Sequence, residues 1–455
     1  MNDDEEFILG KSAFHGQTTI HPVGMSLVIF LGILLLFLPR RRAMIAVVAC
    51  ASLIAVGQRV VIFDLDFNFL RILVLFGWAR IFIQQEYRWF RWQPMDKWFL
   101  LWITTELILY VMSSGMVVFV YRLGITFEAV GMYFIVRMVV RDLDDVRGLV
   151  EAAAYISLIV VCLFMYEKKT ARNLFAVFGG VPEITVIRQG KLRCQGAYAH
   201  PILAGCFWAV LVPMIFSRIF SPGFGRVIAC LGLFGSLGII YLSSSSTPIV
   251  GVIAAIVGFA VFPIRRHMKA LRWSIVVVLT CLHFSMNKPV WHLIARTDLI
   301  GGSTGWHRYH VINQFINFFR EWALMGVRDV THWEIFCNDI TNQYACEGIR
   351  GGFPTLALFI YMISLGFGNV GRLWRSVEHS PGDLMMAWGI GVSFLVHIVN
   401  FFGVCYFGQI DMLWYISLAL CAVRPVCKAK GELKNSSSIS RQINYSNDSI
   451  AYLRT

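Results

Sequence analysis

Thirteen apolar runs alternate with short polar segments along this 455-residue chain. Runs of this length and composition predict membrane-spanning helices, because a helix satisfies its backbone hydrogen bonds internally within lipid. Segments 43–58 and 69–83 are weak and could form two spans, merge or re-enter the membrane, so the pattern predicts twelve or thirteen helices. The predicted spans are 23–38, 43–58, 69–83, 98–115, 123–140, 148–165, 202–219, 226–243, 249–263, 273–286, 353–371, 385–402 and 409–424.

Composition supports this all-α, polytopic membrane fold. Hydrophobic residues make up 57% of the chain and charged residues only 15%, which excludes a soluble domain. The net charge of +13 raises the possibility of nucleic-acid binding, but no basic helix or RNP-like segment accompanies it. The eleven cysteines include no CxxC pair, so neither a zinc site nor a disulfide framework is indicated.

Basic residues between the spans predict the orientation. Arg40, Arg41 and Arg42 follow the first span directly and are cytoplasmic by the positive-inside rule, so the acidic N-terminal tail, residues 1–22, is predicted outside. The transmembrane domain then covers 23–424, and the polar tail 425–455 is predicted to be disordered in the cytoplasm. Further basic residues of the same face are Arg88, Arg91, Lys97, Arg141, Arg147, Arg265, Arg266, Lys269, Arg272, Arg372 and Arg375.

Two predicted outer loops, 166–201 and 287–352, are unexpectedly basic. An anionic substrate at the outer membrane surface explains this excess, because arginine forks bind phosphate oxygens in pairs. The alternative is that these cations merely pair with loop acids such as Glu321, Asp329 and Glu334. The basic residues are Lys168, Lys169, Arg172, Arg188, Lys191 and Arg193 in the first loop, and Lys288, Arg296, Arg308, Arg320, Arg328 and Arg350 in the second.

The first loop ends in the segment RCQGAYAHP, residues 193–201, directly before an apolar helix. Pro201 suits the first turn of that helix, and Gly196 permits close approach of the backbone. Arg193 is predicted where the loop meets the membrane, at the depth of a lipid-linked pyrophosphate. Tyr198 and His200 are candidate ligands or, equally, packing residues at the start of the helix.

The second loop holds the longest polar block, residues 301–352. Helical spacing predicts a helix from about Trp306 to Glu321, whose apolar stripe would lie along the membrane surface. Arg308 and His307 fall in its first turn, where free backbone N–H groups favour an anion. The stripe consists of Val311, Ile312, Phe315, Phe319 and Trp322.

No nucleotide or metal site is predicted. Walker A and GxGxxG patterns are absent, and His307 and His310 lack a third ligand at suitable spacing. Asp339 is the leading candidate carboxylate base in the second half of the loop, followed by Glu347.

These motifs together resemble the O-antigen ligase and O-antigen polymerase family of bacterial envelope enzymes, over roughly residues 100–420. The family has an element of the form Arg…Gly-x-(Tyr/Phe)-x-His-Pro before a mid-chain helix, and residues 193–201 match it. A Ser/Thr-rich junction between helices follows at residues 243–247. The large loop matches in the same order as the family. The matching residues are Arg193, Gly196, Tyr198, His200 and Pro201, then Thr304, Gly305, Arg308, Gly326, Val327, Arg328, Asn342, Tyr344, Gly348 and Gly351.

The resemblance implies a glycosyltransferase of the bacterial inner membrane that works on the periplasmic face. Such enzymes move a glycan from undecaprenyl-pyrophosphate to lipid A-core, as ligases, or to another lipid-linked repeat, as polymerases. Neither a metal nor another cofactor is implied. Arg193 and Arg308 would hold the pyrophosphate, His307 or Asp339 would act as base, and the substrate-binding residues would be Tyr198, His200, Arg328, Asn342, Tyr344 and Glu347.

The chain departs from the family pattern at two positions. Trp306 stands directly after the Thr-Gly pair, where ligases often carry arginine, so Arg308 must serve from two residues later. Thr341 replaces a histidine, and Asp339, His307 or His332 must substitute as base, which favours a polymerase. A transporter or flippase of a similar anionic lipid is the alternative function, because it would use the same arginines without chemistry.

Overall fold

The computed structural model describes residues 18–55, 57–62, 65–221, 223–296, 304–333 and 340–424. Within these ranges the chain forms fifteen α-helices and two short antiparallel β-hairpins. The helices are α1 (Pro22–Phe37), α2 (Arg40–Leu53), α3 (Phe69–Ile83), α4 (Pro94–Ser114), α5 (Phe119–Val139), α6 (Leu143–Thr170), α7 (Pro201–Arg218), α8 (Phe224–Leu242), α9 (Ser246–Ala260), α10 (Met268–Ser285), α11 (Thr304–Asn317), α12 (Phe319–Trp322), α13 (Gln343–Ser376), α14 (Pro381–Asn400) and α15 (Gln409–Leu420). The strands are β1 (Arg59–Ile62), β2 (Leu65–Asn68), β3 (Ile187–Arg188) and β4 (Lys191–Leu192).

The prediction of a polytopic, all-α membrane protein is confirmed. Each of the thirteen predicted spans coincides with a helix, and the hairpin β1–β2 separates α2 from α3, so the two weak segments do not merge. Counted over the described residues, seven helices are long and apolar enough to cross a membrane. They are Met116–Val139, Leu143–Thr170, Pro201–Arg218, Phe224–Leu242, Phe262–Ser285, Gln343–Ser376 and Pro381–Asn400.

Local sequence explains where these helices begin. Proline occupies the first turn of α1, α4, α7 and α14, where its missing N–H costs nothing. The Asp142 carboxylate caps α6 by accepting hydrogen bonds from the backbone N–H groups of Asp144 and Asp145. Helix α13 begins ten residues before the predicted span and breaks at Gly351 and Gly352. Gly352 has a φ of +68°, which few other residues adopt.

The bundle has two chemically different ends. The loop end contains the connections 54–68, 171–200, 243–245 and 401–408, together with residues 304–333. The opposite, arginine-rich end contains the connections at 38–39, 84–93, 140–142 and 377–380. Many cations of the arginine-rich end are paired, as in Arg40–Asp142 at 3.0 Å and Arg137–Asp96 at 2.7 Å. These pairs join helices that are distant in sequence.

Helix α7 lies at the centre of the bundle. It packs against α8, α14 and α9, and 89% of its most apolar stretch is buried within the chain. The segment that carries Arg193 leads directly into α7. A largely buried helix therefore fixes one side of the candidate site.

The large loop forms the predicted helix as α11, followed by the short α12. The prediction that its apolar stripe lies on the membrane surface is wrong for Val311, Phe315 and Trp322. Val311 and Trp322 are buried, and Phe315 stacks on Trp322 with ring centroids 4.0 Å apart. These side chains form a small core with the first turns of α13, which holds the loop on the bundle. Phe319 remains exposed.

Helix α10 is peripheral. None of its residues, all of which are described, is buried within the chain. Its main contacts are with the short 3₁₀ helices at its two ends, Phe262–His267 and Val290–Arg296. Beyond Met268, which packs against the core at the start of the helix, its apolar surface faces lipid.

Candidate anion-binding site

The centre of the site is the serine- and threonine-rich junction between α8 and α9. Ser245 is the N-cap residue of α9, but its side chain does not cap the helix. Its hydroxyl instead donates to the carbonyl of Ser243 at 3.0 Å. The N–H groups of Ser246 and Thr247 consequently begin α9 without a capping side chain, which leaves the positive end of the helix dipole at the loop end.

Arg193 reaches this junction from the first loop. Its Nη2 donates to Ser245 Oγ at 2.8 Å, and only 6% of the residue is exposed. Its Nε lies buried without a hydrogen-bond partner, and Arg193 forms no ion pair with any described residue. Burial and the nearby Arg188 lower the pKa of Arg193, but an arginine stays protonated at neutral pH. The site thus holds a buried, uncompensated positive charge.

Arg308 reaches the same junction from the second loop. Its Nη2 donates to Thr247 Oγ1 at 2.7 Å, and 7% of the residue is exposed. A Cβ placed on Gly403 would lie 3.4 Å from Cζ of Arg308, so the 401–408 turn covers this guanidinium. The two arginines are 115 positions apart in sequence yet bind hydroxyls that are two positions apart. The structure therefore brings together the two residues predicted to clamp a diphosphate.

Glu167, near the end of α6, holds the segment that carries Arg193. Its carboxylate accepts hydrogen bonds from the backbone N–H groups of Gln195 at 3.1 Å and Gly196 at 2.9 Å, and from Thr185 Oγ1 at 3.1 Å. Glu167 is 2% exposed, and Gly196 has a φ of +56° that suits glycine. Glu167 thus fixes the backbone two residues after Arg193.

Two further residues of the first motif have structural contacts. Tyr198 is completely buried, stacks near Phe207 and lies with its hydroxyl 3.2 Å from Ser52 Oγ. His200 is the N-cap residue of α7, and its Nδ1 accepts from the Ile202 N–H at 3.2 Å. These contacts make Tyr198 a core residue and His200 a helix cap, which agrees with the packing alternative.

The environment of His200 predicts a pH-dependent stability. Burial, followed by the charges of Arg193 and Arg188, lowers the pKa of His200 to about 4. The unfolded chain, with an ordinary histidine pKa near 6.5, binds a proton more readily than the folded chain between about pH 6.5 and 4. The contribution is therefore complete above about pH 6.5 and is lost as the pH falls to about 4. We expect it to be on the order of 2 kcal/mol.

Thermal melting of detergent-solubilised protein between pH 7 and 4 measures this effect. The variant His200→Asn is the control, because asparagine caps a helix but does not titrate. The melting temperature of the wild type should fall more steeply on acidification than that of the variant. Parallel curves would contradict the assignment.

The beginning of α13 supplies another predicted residue, Glu347, which is 1% exposed. Its two carboxylate oxygens accept from Gln343 Nε2 at 2.8 Å and from Trp102 Nε1 at 3.0 Å. Gln343 also binds the 401–408 turn, because its N–H donates to the Phe401 carbonyl and its Oε1 accepts from the Tyr406 N–H. Glu347 is thereby connected to the turn that covers Arg308.

The other predicted residues of α13 are structural. Asn342 caps the helix by accepting from the Ala345 N–H at 3.0 Å. The Tyr344 hydroxyl donates to the Ile398 carbonyl at 3.2 Å. Neither contact involves the arginines. The cap explains why Asn342 stands at the start of the helix, and the Tyr344 contact joins this helix to α14.

The remaining predicted site residues belong to the large loop. His307 lies on α11, one residue before Arg308. Arg328 is exposed and forms no hydrogen bond or ion pair with a described residue. Asp339 lies outside the residues that the structure describes, as does Glu334. Of the described loop acids, Glu321 pairs with His332 and Asp329 binds Thr331, whereas Glu183 pairs with Arg172 of the first loop.

Sequence reasoning missed Glu167, Gln343 and Gly403 as parts of the site. It recognised residues 243–247 as a junction but assigned Ser245 and Thr247 no role. A run of serines at a junction between apolar helices was the available signal, because hydroxyls there must bind something polar. The roles of Glu167, Gln343 and Gly403 depend on neighbours that are distant in sequence.

Comparison with known proteins adds no relative. No protein-family model matches the chain, and no curated protein sequence matches it significantly. The resemblance described above therefore rests on the motif residues themselves.

Proposed function

We propose that this protein is a glycosyltransferase that moves a glycan from undecaprenyl-pyrophosphate to a saccharide acceptor at the periplasmic face of the bacterial inner membrane. One observation carries the proposal: two buried guanidiniums from separate loops converge on the uncapped start of α9. Two arginines and a helix N-terminus are suited to a diphosphate. The motif resemblance supplies the reaction class.

The chemistry follows from charge development. When the sugar leaves the carrier, negative charge grows on the pyrophosphate oxygen, and fixed cations stabilise that charge more than they stabilise the bound donor. The partner hydroxyls of Ser245 and Thr247 hold the guanidiniums in place before the substrate arrives. A base that takes the proton of the acceptor hydroxyl would contribute roughly two to four further decades in rate. His307, Asp339 and Glu347 are the candidates.

A second function, transport of the same lipid-linked saccharide, is favoured by one observation. Ionisable residues are buried inside the bundle, as in the pairs Arg71–Glu128 and Arg122–Glu106. Intramembrane charges commonly line transport pathways. A transporter would hold the pyrophosphate with the same arginines but would break no glycosidic bond.

Lipid-linked intermediates in a deletion strain distinguish these functions. We expect single repeats to accumulate on the carrier in the outer leaflet, which indicates a polymerase. Full-length chains left on the carrier would indicate a ligase. An intermediate confined to the inner leaflet, protected from periodate added to spheroplasts, would contradict the transferase and favour the transporter.

Purified protein in nanodiscs provides a direct test of the site. Inorganic pyrophosphate should raise the melting temperature of the wild type and have little effect on Arg193→Ala. An equal stabilisation of both proteins would contradict the proposed diphosphate site.

A further inference from the structure

A second polar cluster lies inside the bundle, between α3, α4, α5, α13 and α15. It combines three arginines with four carboxylates, most of them in helices that the sequence predicts to be apolar spans. Such groups are costly within a membrane and usually have a function. The members are Arg71, Arg122, Arg350, Glu106, Glu128, Glu347 and Asp411.

Most members of the cluster are paired. Arg122 Nη2 lies 3.0 Å from Glu106 Oε1, and Arg350 Nη1 approaches the same oxygen at 4.0 Å. Arg71 Nε lies 3.4 Å from Glu128 Oε2. One aromatic ring belongs to the cluster, since the Arg122 guanidinium lies 3.9 Å from the ring centre of Tyr110. The cluster therefore combines charged groups with an aromatic ring.

Two groups in the cluster have unused bonding capacity. Asp411 lies within electrostatic range of Arg350, Glu128 and Glu106, yet its carboxylate forms no hydrogen bond or ion pair with any described residue. Arg122 is 6% exposed, and its Nε has no hydrogen-bond partner. A purely structural network would be expected to satisfy both groups. Asp411 and Arg350 are only partly buried.

The cluster adjoins the arginine site across the 401–408 turn. Gly403 of this turn contacts Thr247 and Arg308, whereas Cys405, two residues later, lies 3.7 Å from Arg350 Nη2. Gln343 binds the turn and also Glu347 of the cluster. One short turn thus separates the site of Arg193 and Arg308 from the second polar cluster.

We propose that this cluster, here called the acid chamber, binds the acceptor saccharide. The inference rests on the proposed transferase function, which requires a second saccharide site next to the diphosphate. Carboxylates accept hydrogen bonds from sugar hydroxyls, guanidiniums donate to sugar oxygens, and aromatic rings pack on sugar faces.

Asp411→Asn is the most informative variant, because Asp411 supports no structural contact that the substitution would break. The probe is the glycan released by mild acid from the lipid-linked intermediate of a deletion strain and labelled at its reducing end. Binding to the full-length protein in nanodiscs is followed by fluorescence polarisation. We expect Asp411→Asn to weaken glycan binding at least tenfold and to lower product formation in cells at least tenfold.

The controls separate this proposal from the proposed function. Asp411→Glu, which keeps the charge, should restore most of the binding, and Asp144→Asn, an exposed carboxylate at the arginine-rich end, should behave as wild type. Arg193→Ala should lose stabilisation by inorganic pyrophosphate but still bind the glycan. Melting temperatures of all variants establish that they are folded.

Normal glycan binding and normal product in folded Asp411→Asn would overturn the acid chamber and leave the diphosphate site untouched. A wild type that fails to bind the released glycan would also overturn it. Undiminished stabilisation of Arg193→Ala by pyrophosphate would instead contradict the proposed function.

Discussion

Arg193→Ala should lower product formation by about two to three orders of magnitude while the protein still inserts and folds. A preorganised donor that stabilises developing negative charge is worth about 3–4 kcal/mol in comparable sites. The guanidinium of Arg193 has an unused Nε and no acidic partner among the described residues, so its charge is available to a ligand. Arg308→Ala should have a similar effect. The fold reduction in the double variant should be smaller than the two single fold reductions multiplied together, because both arginines act on one leaving group.

The measurement is the amount of polymer or ligated glycan in a deletion strain that expresses each variant at equal level. Arg320→Ala is the matched control, since Arg320 belongs to the same large loop but is exposed. It should leave product within about twofold of wild type. Arg193→Lys should recover only part of the activity, because an ammonium lacks the planar fork that binds two oxygens at once. Normal product in Arg193→Ala would remove that residue from the site.

Glu167→Ala is the substitution with the largest expected effect on stability. It removes a carboxylate that accepts from Gln195, Gly196 and Thr185 and leaves three buried donors without an acceptor. Each such donor costs about 1–3 kcal/mol, so the total loss should reach about 3–5 kcal/mol. The segment that carries Arg193 should loosen at the same time.

Thermal melting in detergent, together with hydrogen exchange of residues 193–200, measures both consequences. Glu183→Ala is the control, because Glu183 lies in the same loop but is exposed and pairs only with exposed Arg172 at 3.5 Å. Its melting temperature should stay close to that of the wild type. The melting temperature of Glu167→Gln should lie between those of Glu167→Ala and the wild type. Its amide oxygen still accepts a hydrogen bond, whereas its amide nitrogen faces other donors. A wild-type melting temperature for Glu167→Ala would refute the role of this carboxylate.

The membrane fold could be predicted from sequence because lipid imposes a simple rule. A long apolar run must satisfy its own backbone, so each run from 23–38 to 409–424 becomes a helix. Helix ends were less predictable. Helix α13 starts at Gln343 because Asn342 caps it, and the polar turns before the Gly351–Gly352 break resemble loop sequence.

The site was predictable only in part. Arg193 and Arg308 could be selected because basic residues are unusual in the outer loops of membrane proteins. The sequence could not predict that both arginines bind the same junction, because this depends on the fold placing Ser245 and Thr247 beside both loops. The stripe of α11 shows the same limit, because periodicity identifies an apolar face but not whether lipid or protein covers it.

The cluster of charged residues inside the bundle could not be recognised from the sequence, because its members come from several helices. Single residues such as Glu106, Arg122 and Glu128 are spread over helices of otherwise apolar sequence, where each looks like an exception. Only the packing of α4 and α5 places Arg122 beside Glu106. A charge in a span therefore becomes interpretable only when its neighbour on another helix is known.

The isolation of α10 has a consequence for how Arg308 is held. Since no residue of α10 is buried and its packing against the core is through Met268 at its start, the rest of this helix can tilt in the bilayer without disrupting the core of the bundle. The chain that follows it would transmit such motion, but the Val311–Trp322 core anchors α11 to α13 beyond that point. Arg308 thus takes its position from the folded loop, and α10 acts as a tether whose orientation the surrounding lipid is free to set.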